Sequence, residues 1–133
     1  MTNNDANKFA FDSFITAFMP GNEHMIDQYF DSDLILINHS VSKKFDLNDL
    51  KSRLPTIHKK YLDLKSEIRD IIVENDRIAF HVQQNTFSAP ANKYITVNVM
   101  NLYKLSDGKV KEWQIWENFN KSEEDETSSN ASS

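Results

Sequence analysis

The chain has 133 residues, a formal net charge of −5 and no cysteine. This length fits one domain. The absence of cysteine excludes disulfides and thiolate sites. Together with the lack of an N-terminal signal peptide, it predicts a cytoplasmic protein. Basic and acidic residues are interspersed without a basic stripe, so nucleic acid is not an expected partner. No apolar segment approaches the roughly 20 residues that span a bilayer, so a membrane is not expected either.

Two helices and a short strand are predicted before residue 40. Apolar residues recur at helical spacing over residues 7–19, and Pro20-Gly21 ends that helix. A second, shorter helix is predicted over residues 23–30. The apolar run Leu34-Ile35-Leu36-Ile37 then predicts a strand, which ends at the polar pair Asn38-His39.

A third helix is predicted to begin after Asp46. A carboxylate at this position accepts hydrogen bonds from free amides of the first turn, and Asp49 adds a favourable negative charge there. Apolar residues follow at intervals of three and four up to Tyr61. Pro55 lies inside this pattern and, because it has no amide hydrogen, is expected to kink the helix.

The second half of the chain predicts strands joined by short turns. Strand-like segments lie at residues 64–74, 77–87, 94–105 and 111–119, with turn signals at Asn75-Asp76 and Asp107-Gly108. The whole order predicts an α+β fold, a curved antiparallel sheet with helices packed on one face. Residues 1–120 are expected to form the domain, and the acidic, serine-rich residues 121–133 a disordered tail.

Three segments of the sequence carry a family resemblance. They are Tyr29-Phe30-Asp31-Ser32-Asp33 with the strand that follows, Val73-Glu74-Asn75-Asp76-Arg77-Ile78-Ala79, and Asp107-Gly108-Lys109-Val110-Lys111-Glu112-Trp113. In this order they resemble the nuclear transport factor two-like superfamily, and within it the SnoaL-like, or polyketide-cyclase-like, branch. The resemblance implies a cone-shaped fold, in which the curved sheet wraps around three N-terminal helices and encloses an internal pocket. It also implies a homodimer.

The resemblance implies a small apolar molecule as ligand without naming it. The superfamily includes ketosteroid isomerases, polyketide cyclases, dehydratases, epoxide hydrolases and members without known chemistry. Asn38 occupies the place of the isomerases' aspartate base, and its amide cannot accept a proton near neutral pH. Glu117 or Asn118 falls near the cyclases' aspartate, whereas Phe87 or Ser88 replaces their histidine.

Seven residues are candidates for the site. His39 ends an apolar strand and can act as acid or base near neutral pH, and Glu117 can do so if it is buried. We predict these two as catalytic and the following as ligand-binding: Asn38, His81, Gln83, Trp116 and Asn118. Alternation puts Trp113 and Trp116 on opposite faces of their strand. Alternation also puts His81 and Gln83 on the same face of their own strand, but it leaves open whether that face points toward the pocket.

Two functions remain open from the sequence. One is an acid–base enzyme of the cyclase, isomerase or hydratase type that acts on an apolar or polycyclic substrate, favoured by His39 and the polar last strand. The other is a non-catalytic ligand-binding or dimerisation module, favoured by Asn38 in place of an aspartate. No glycine-rich phosphate loop or cluster of metal ligands stands out, so neither a cofactor nor a metal is predicted.

Overall fold

Three α-helices and six strands make up residues 2–18 and 23–119, the part of the chain that the computed structural model describes. In chain order they are α1 (Asn3–Phe18), a 3-10 turn (Glu23–Met25), α2 (Ile26–Tyr29), β1 (Phe30–Asn38), β2 (Lys43–Phe45), α3 (Leu47–Lys60), β3 (Tyr61–Glu74), β4 (Arg77–Ser88), β5 (Lys93–Ser106) and β6 (Lys109–Phe119). The predicted α+β fold class is confirmed. Strand β2 was not predicted, because three residues are too few for an alternating pattern.

The strands form one mixed sheet in the order β2-β1-β6-β5-β4-β3. Strands β3 to β6 follow one another through short turns and are antiparallel, as the sequence predicts. Strand β1 instead runs parallel to β6, with Leu36 beside Trp113 and Asn38 beside Ile115. No hairpin joins these two strands, so the turn geometry that makes the others antiparallel does not act on them. The pairing brings the end of β1 beside the last strand.

Bulges curve the sheet around the helices. The register between β3 and β4 shifts between Leu62 and Lys65. At this shift Asp63 adopts a positive φ of 51°, and Thr86 Oγ1 donates a 2.7 Å hydrogen bond to the Leu62 carbonyl oxygen. Bulges bend a strand and increase its twist, so the sheet takes the curved form that the resemblance implied.

An aromatic cluster joins the helices to the inner face of the sheet. Phe14 of α1, Phe30, Tyr103 and Trp113 are each at most 1% exposed. Phe30 stacks on Trp113 with ring centroids 5.5 Å apart, and Trp113 Nε1 donates a 2.9 Å hydrogen bond to Asn101 Oδ1. Burial of one such side chain contributes about 1.5–3 kcal/mol, so the cluster fixes α1 on the sheet.

Helix α3 begins at the predicted cap. Asp46 Oδ1 accepts a 2.8 Å hydrogen bond from the Asp49 amide, and the Asp49 carboxylate accepts one of 3.0 Å from the Asp46 amide. This reciprocal capping box satisfies amides that the helix itself leaves free. The helix continues through Pro55 to Lys60.

Two predictions concern residues outside the described ranges. The disorder of the tail over residues 121–133 and the domain boundary at residue 120 both stay predictions. Within residues 2–18 and 23–119, no helix is long and apolar enough to cross a membrane.

Candidate functional site

A cavity of about 440 Å³, as bounded by the described residues, lies between α3 and the inner face of β1 and β6. Its apolar lining residues are Phe18, Leu36, Val41, Phe45, Leu50, Ile57, Trp113 and Ile115. Its polar lining residues are Asn38, Ser52, Arg53, Thr56, Lys60, Tyr61 and Glu117. Pockets of roughly 300–1,000 Å³ with apolar walls and a few polar groups hold small molecules in other proteins. The cavity is therefore the candidate site.

Asn38 and Glu117 form a hydrogen-bonded pair in the cavity wall. Asn38 is the last residue of β1, and Glu117 lies on the neighbouring strand β6. Asn38 Nδ2 donates a 3.0 Å hydrogen bond to Glu117 Oε1, and Glu117 Oε2 has no partner among the described residues. The amide thus holds one carboxylate oxygen and leaves the other to accept a hydrogen bond or a proton from a ligand.

Ser40 fastens the end of β1 to β6 beside this pair. Its amide donates a 2.9 Å hydrogen bond to Asn38 Oδ1. Its Oγ accepts a 2.7 Å hydrogen bond from the Glu117 amide and donates one of 3.1 Å to the Glu117 carbonyl oxygen. Both ends of the Asn38 amide and the backbone of Glu117 are therefore held. A carboxylate oriented in this way loses little conformational freedom when a ligand binds.

Two cations, Arg53 and Lys60, line the cavity from α3. The Arg53 guanidinium carbon lies 4.5 Å from the centroid of the Phe45 ring, a cation–π contact. Neither cation forms an ion pair with any described residue. Glu117 is the only carboxylate in the described lining, so this lining carries more positive than negative charge. Within residues 2–18 and 23–119, no group of three or more His, Cys, Asp or Glu is arranged to hold a metal ion.

A recess of about 30 Å³ shares the lining residues Phe18, Ile57, Tyr61 and Glu117 with the cavity, and Gln84 of β4 also lines it. Gln84 is 6% exposed, and its Nε2 has no hydrogen-bond partner among the described residues. A buried donor without a partner costs about 1–3 kcal/mol. The recess has room for one water molecule or one small ligand group. Gln84 is therefore a candidate donor to a ligand oxygen.

His39 and Trp116 lie on the outer face of the sheet, away from the cavity. Their rings stack with centroids 4.5 Å apart, and His39 Nε2 lies 2.9 Å from Gln114 Oε1. The cause is strand alternation: because Asn38 points into the cavity, the next residue points to the opposite face.

His81, Gln83 and Asn118 also lie on the outer face. The even-numbered positions of β4 from 78 to 88 are buried against the helices, so the odd-numbered His81 and Gln83 face outward. His81 Nε2 lies 2.9 Å from Asn98 Oδ1 on β5. Of the seven predicted site residues, the cavity contains two, Asn38 and Glu117. The structure does not bring the other five into it, and a role for them in binding or catalysis stays a prediction.

Arg53, Lys60 and Gln84 were not recognised from the sequence. The sequence position of each residue relative to its apolar neighbours could have indicated that it faces the cavity. Gln84 shares the buried face of Val82 by simple alternation. Arg53 and Lys60 each follow by three positions a residue of the predicted apolar stripe of α3, so they lie beside that stripe.

Family comparison gives one match that covers most of the chain. The model described as SnoaL-like polyketide cyclase matches residues 10–125. The search of curated proteins finds no match.

Solved structures with the same fold share little sequence with this chain. AclR from Streptomyces galilaeus has a TM-score of 0.73 and 15% identity, over 90% of this chain and 82% of that chain. IdmH from Streptomyces antibioticus has a TM-score of 0.70 and 12% identity, over 92% and 94%. An LEH-like epoxide hydrolase from M. tuberculosis has a TM-score of 0.67 and 13% identity, over 86% and 84%. At such identities the likeness shows the fold alone.

Proposed function

Because the chain belongs to the SnoaL-like polyketide cyclase family, we propose that it binds a small, largely apolar molecule in the cavity, with a polar group of that molecule against Glu117. The volume of about 440 Å³ and the mainly apolar walls support this proposal. We place the polar group of the ligand at Glu117 because Asn38 bonds only one oxygen of that carboxylate.

We further propose that the bound molecule is a substrate and that Glu117 acts as the general base. The Glu117 carboxylate removes a proton from a carbon next to a carbonyl group, and the C–H electron pair moves to the carbonyl oxygen as an enolate. In a β,γ-unsaturated ketone the anion is a dienolate, and return of the proton from Glu117 to the γ-carbon gives the conjugated isomer. In a substrate with a second carbonyl group, the enolate carbon attacks that carbonyl carbon and closes a ring, and the alkoxide that forms takes the proton from Glu117. A positioned carboxylate contributes about 10²–10⁴-fold to such a step.

Proton exchange in an apolar ketone tests this proposal. We expect the protein to accelerate exchange of the α-protons of 2-tetralone for deuterium in D₂O, followed by proton NMR. Glu117→Gln should reduce the acceleration by about 100-fold or more. Glu112→Gln is the matched control, because Glu112 lies on the same strand and its carboxylate bonds Gln114 rather than the cavity pair. Equal exchange with the wild-type protein and Glu117→Gln would exclude Glu117 as the base.

A non-catalytic binding protein is the second candidate. The observation in its favour is that the described cavity lining contains no histidine and only one carboxylate. For this candidate, 2-tetralone binds and quenches the fluorescence of Trp113, which lines the cavity, but its exchange rate equals that of buffer. Exchange that depends on Glu117 would exclude it.

We also propose that two copies associate through the outer face of the sheet. Ile35, Met100 and Trp116 are large apolar side chains exposed on this face, between 41% and 48%. Exposed apolar groups of this kind mark interaction sites. Their polar neighbours His39 and Gln114 bond each other, so these two groups need no hydrogen-bond partner from the second copy when two such faces meet around a two-fold axis.

Sedimentation at micromolar concentration tests the homodimer. We expect a mass of twice 15.5 kDa for the wild-type chain and a monomer for Trp116→Glu. Phe11→Glu is the control, because Phe11 is an exposed aromatic residue on α1, on the other side of the molecule. A wild-type monomer contradicts the proposal, as does a Trp116→Glu variant that remains dimeric.

The cytoplasmic location stays a prediction from the sequence. Fractionation of cells that produce the chain measures it. Recovery of the chain from the culture medium or the membrane fraction would contradict it.

A further inference from the structure

The cations in the cavity wall point to the class of ligand. We infer that the ligand is an amphipathic acid, whose anionic head group is bound by Arg53 and Lys60 while its apolar body fills the cavity. This inference rests on the proposed binding function and goes further, because that function specifies only an apolar body with a polar group at Glu117.

Arg53 and Lys60 lie on one side of α3, two helical turns apart. The residues between them that line the cavity, Thr56 and Ile57, occupy the same side. Seven residues span about 10 Å along a helix axis. The long, flexible side chains of arginine and lysine can bridge such a distance from its two ends. A single carboxylate or sulfonate at the α3 side of the cavity is therefore within reach of both cations.

Arg53 and Lys60 differ from the neighbouring Lys51 in that they form no ion pair with the described residues. Lys51, also on α3, forms a 2.8 Å ion pair with Asp27. The Arg53 guanidinium carbon lies 4.5 Å from the centroid of the Phe45 ring. A cation–π contact forms no hydrogen bond to a carboxylate or sulfonate, so it leaves guanidinium N–H donors that can bind such a group.

Charge also orients the ligand within the cavity. Glu117 is the only carboxylate in the described lining, and it lies on β6, whereas both cations lie on α3. Repulsion from Glu117 and attraction to Arg53 and Lys60 favour one orientation, with the anionic head at α3. The opposite, neutral end of the ligand is then the part that meets Glu117 and Gln84.

Two fluorescent probes with the same skeleton test the inference. 8-Anilino-1-naphthalenesulfonate carries one sulfonate, and N-phenyl-1-naphthylamine is the same molecule without it. Each is titrated against the wild-type protein, Arg53→Met, Lys60→Met and the double variant. Lys59→Met is the control, because Lys59 also lies in the last turn of α3 but does not line the cavity. Thr56→Trp, which places a large ring in the cavity, shows whether a probe binds there.

We expect the double variant to bind the sulfonate about tenfold more weakly, as for the loss of charge-assisted hydrogen bonds. The neutral probe should bind the double variant within about twofold of wild type, because it makes no such bond. Lys59→Met should leave both affinities unchanged. An increase in salt from about 20 to about 200 mM should weaken sulfonate binding more than binding of the neutral probe.

The outcomes separate the inference from the function on which it rests. If both probes bind, Thr56→Trp blocks both, and the double variant does not change sulfonate affinity, the cavity binds small molecules but the inference is wrong. If neither probe binds, or if Thr56→Trp leaves both affinities unchanged while circular dichroism shows an intact fold, the cavity is not the binding site. In that case both the inference and the proposed function are overturned.

Discussion

Substitution of Asn101 by leucine tests the buried hydrogen bond that holds the cavity wall. Asn101 is 2% exposed and Trp113 is fully buried, and the Trp113 indole donates its N–H to Asn101 Oδ1 at 2.9 Å. Leucine has a similar volume but no acceptor, so Asn101→Leu leaves the indole donor unpaired inside the core. The two bonds that the Asn101 amide itself donates are 3.3 and 3.4 Å long, and they contribute little.

The expected loss is the cost of one buried donor without a partner, about 1–3 kcal/mol of unfolding free energy. For a domain of this size that corresponds to roughly 3–5 °C in Tm per kcal/mol. Urea unfolding followed by far-ultraviolet circular dichroism measures it without relying on tryptophan fluorescence. Asn118→Leu is the control, because Asn118 is exposed and its replacement should change stability by about 0.5 kcal/mol or less.

A double-mutant cycle with Trp113→Phe assigns the loss to the hydrogen bond. Phenylalanine has no N–H group, so Asn101→Leu should cost about 1 kcal/mol less in the Trp113→Phe background than in the wild type. Because Trp113 also lines the cavity, Asn101→Leu should weaken binding of N-phenyl-1-naphthylamine as well. A coupling energy smaller than about 0.5 kcal/mol would refute the reasoning.

Three further predictions concern stability. Burial raises the pKa of the Tyr103 hydroxyl, partly offset by its hydrogen bond to Ser13. Stability should therefore be intact below the ordinary tyrosine pKa of about 10 and fall above it by up to about 1.4 kcal/mol per pH unit. Urea midpoints measured against pH should show this fall, and an equal fall in Tyr103→Phe would exclude Tyr103 as its source. Asp46→Ala should lower the free energy of unfolding by about 1 kcal/mol through loss of the capping box, and an unchanged thermal midpoint would contradict this. Phe14→Ala should cost about 3–5 kcal/mol, because the ring is buried against the sheet; a cost below about 1 kcal/mol in urea unfolding would contradict that packing.

Much of the fold could be predicted because its determinants are local. Asp107 and Gly108 have φ values of 52° and 79°, the left-handed conformation that an Asp-Gly hairpin turn requires. Asp46 caps α3 through a residue only three positions away. Such signals act within a few residues of one another, so a single sequence shows them.

The mixed sheet and the cavity depend on contacts that are distant in the sequence. The pairing of β1 with β6 brings together segments about eighty positions apart, such as Leu36 and Trp113. No local signal sets the direction of such a pair. Once β1 runs parallel to β6, its polar end meets the polar end of β6, and the cavity acquires Asn38 and Glu117 together.

Alternation explains why an amide and not an imidazole reaches Glu117. Asn38 and His39 are adjacent in the sequence, and both are polar residues at the end of an apolar strand. Only one of two adjacent strand residues can face the cavity, and burial of Leu34 and Leu36 on the inner face assigns that place to Asn38. In the sequence, the even-numbered positions 34 and 36 are leucine and the odd-numbered positions 35 and 37 are isoleucine, so the residues of both faces are apolar. Composition alone could not say which set is buried, because that depends on the helix that covers one face. The more reactive side chain therefore lies on the outer face, and the residue that Asn38 contacts in the cavity wall is Glu117, the only carboxylate in the described lining.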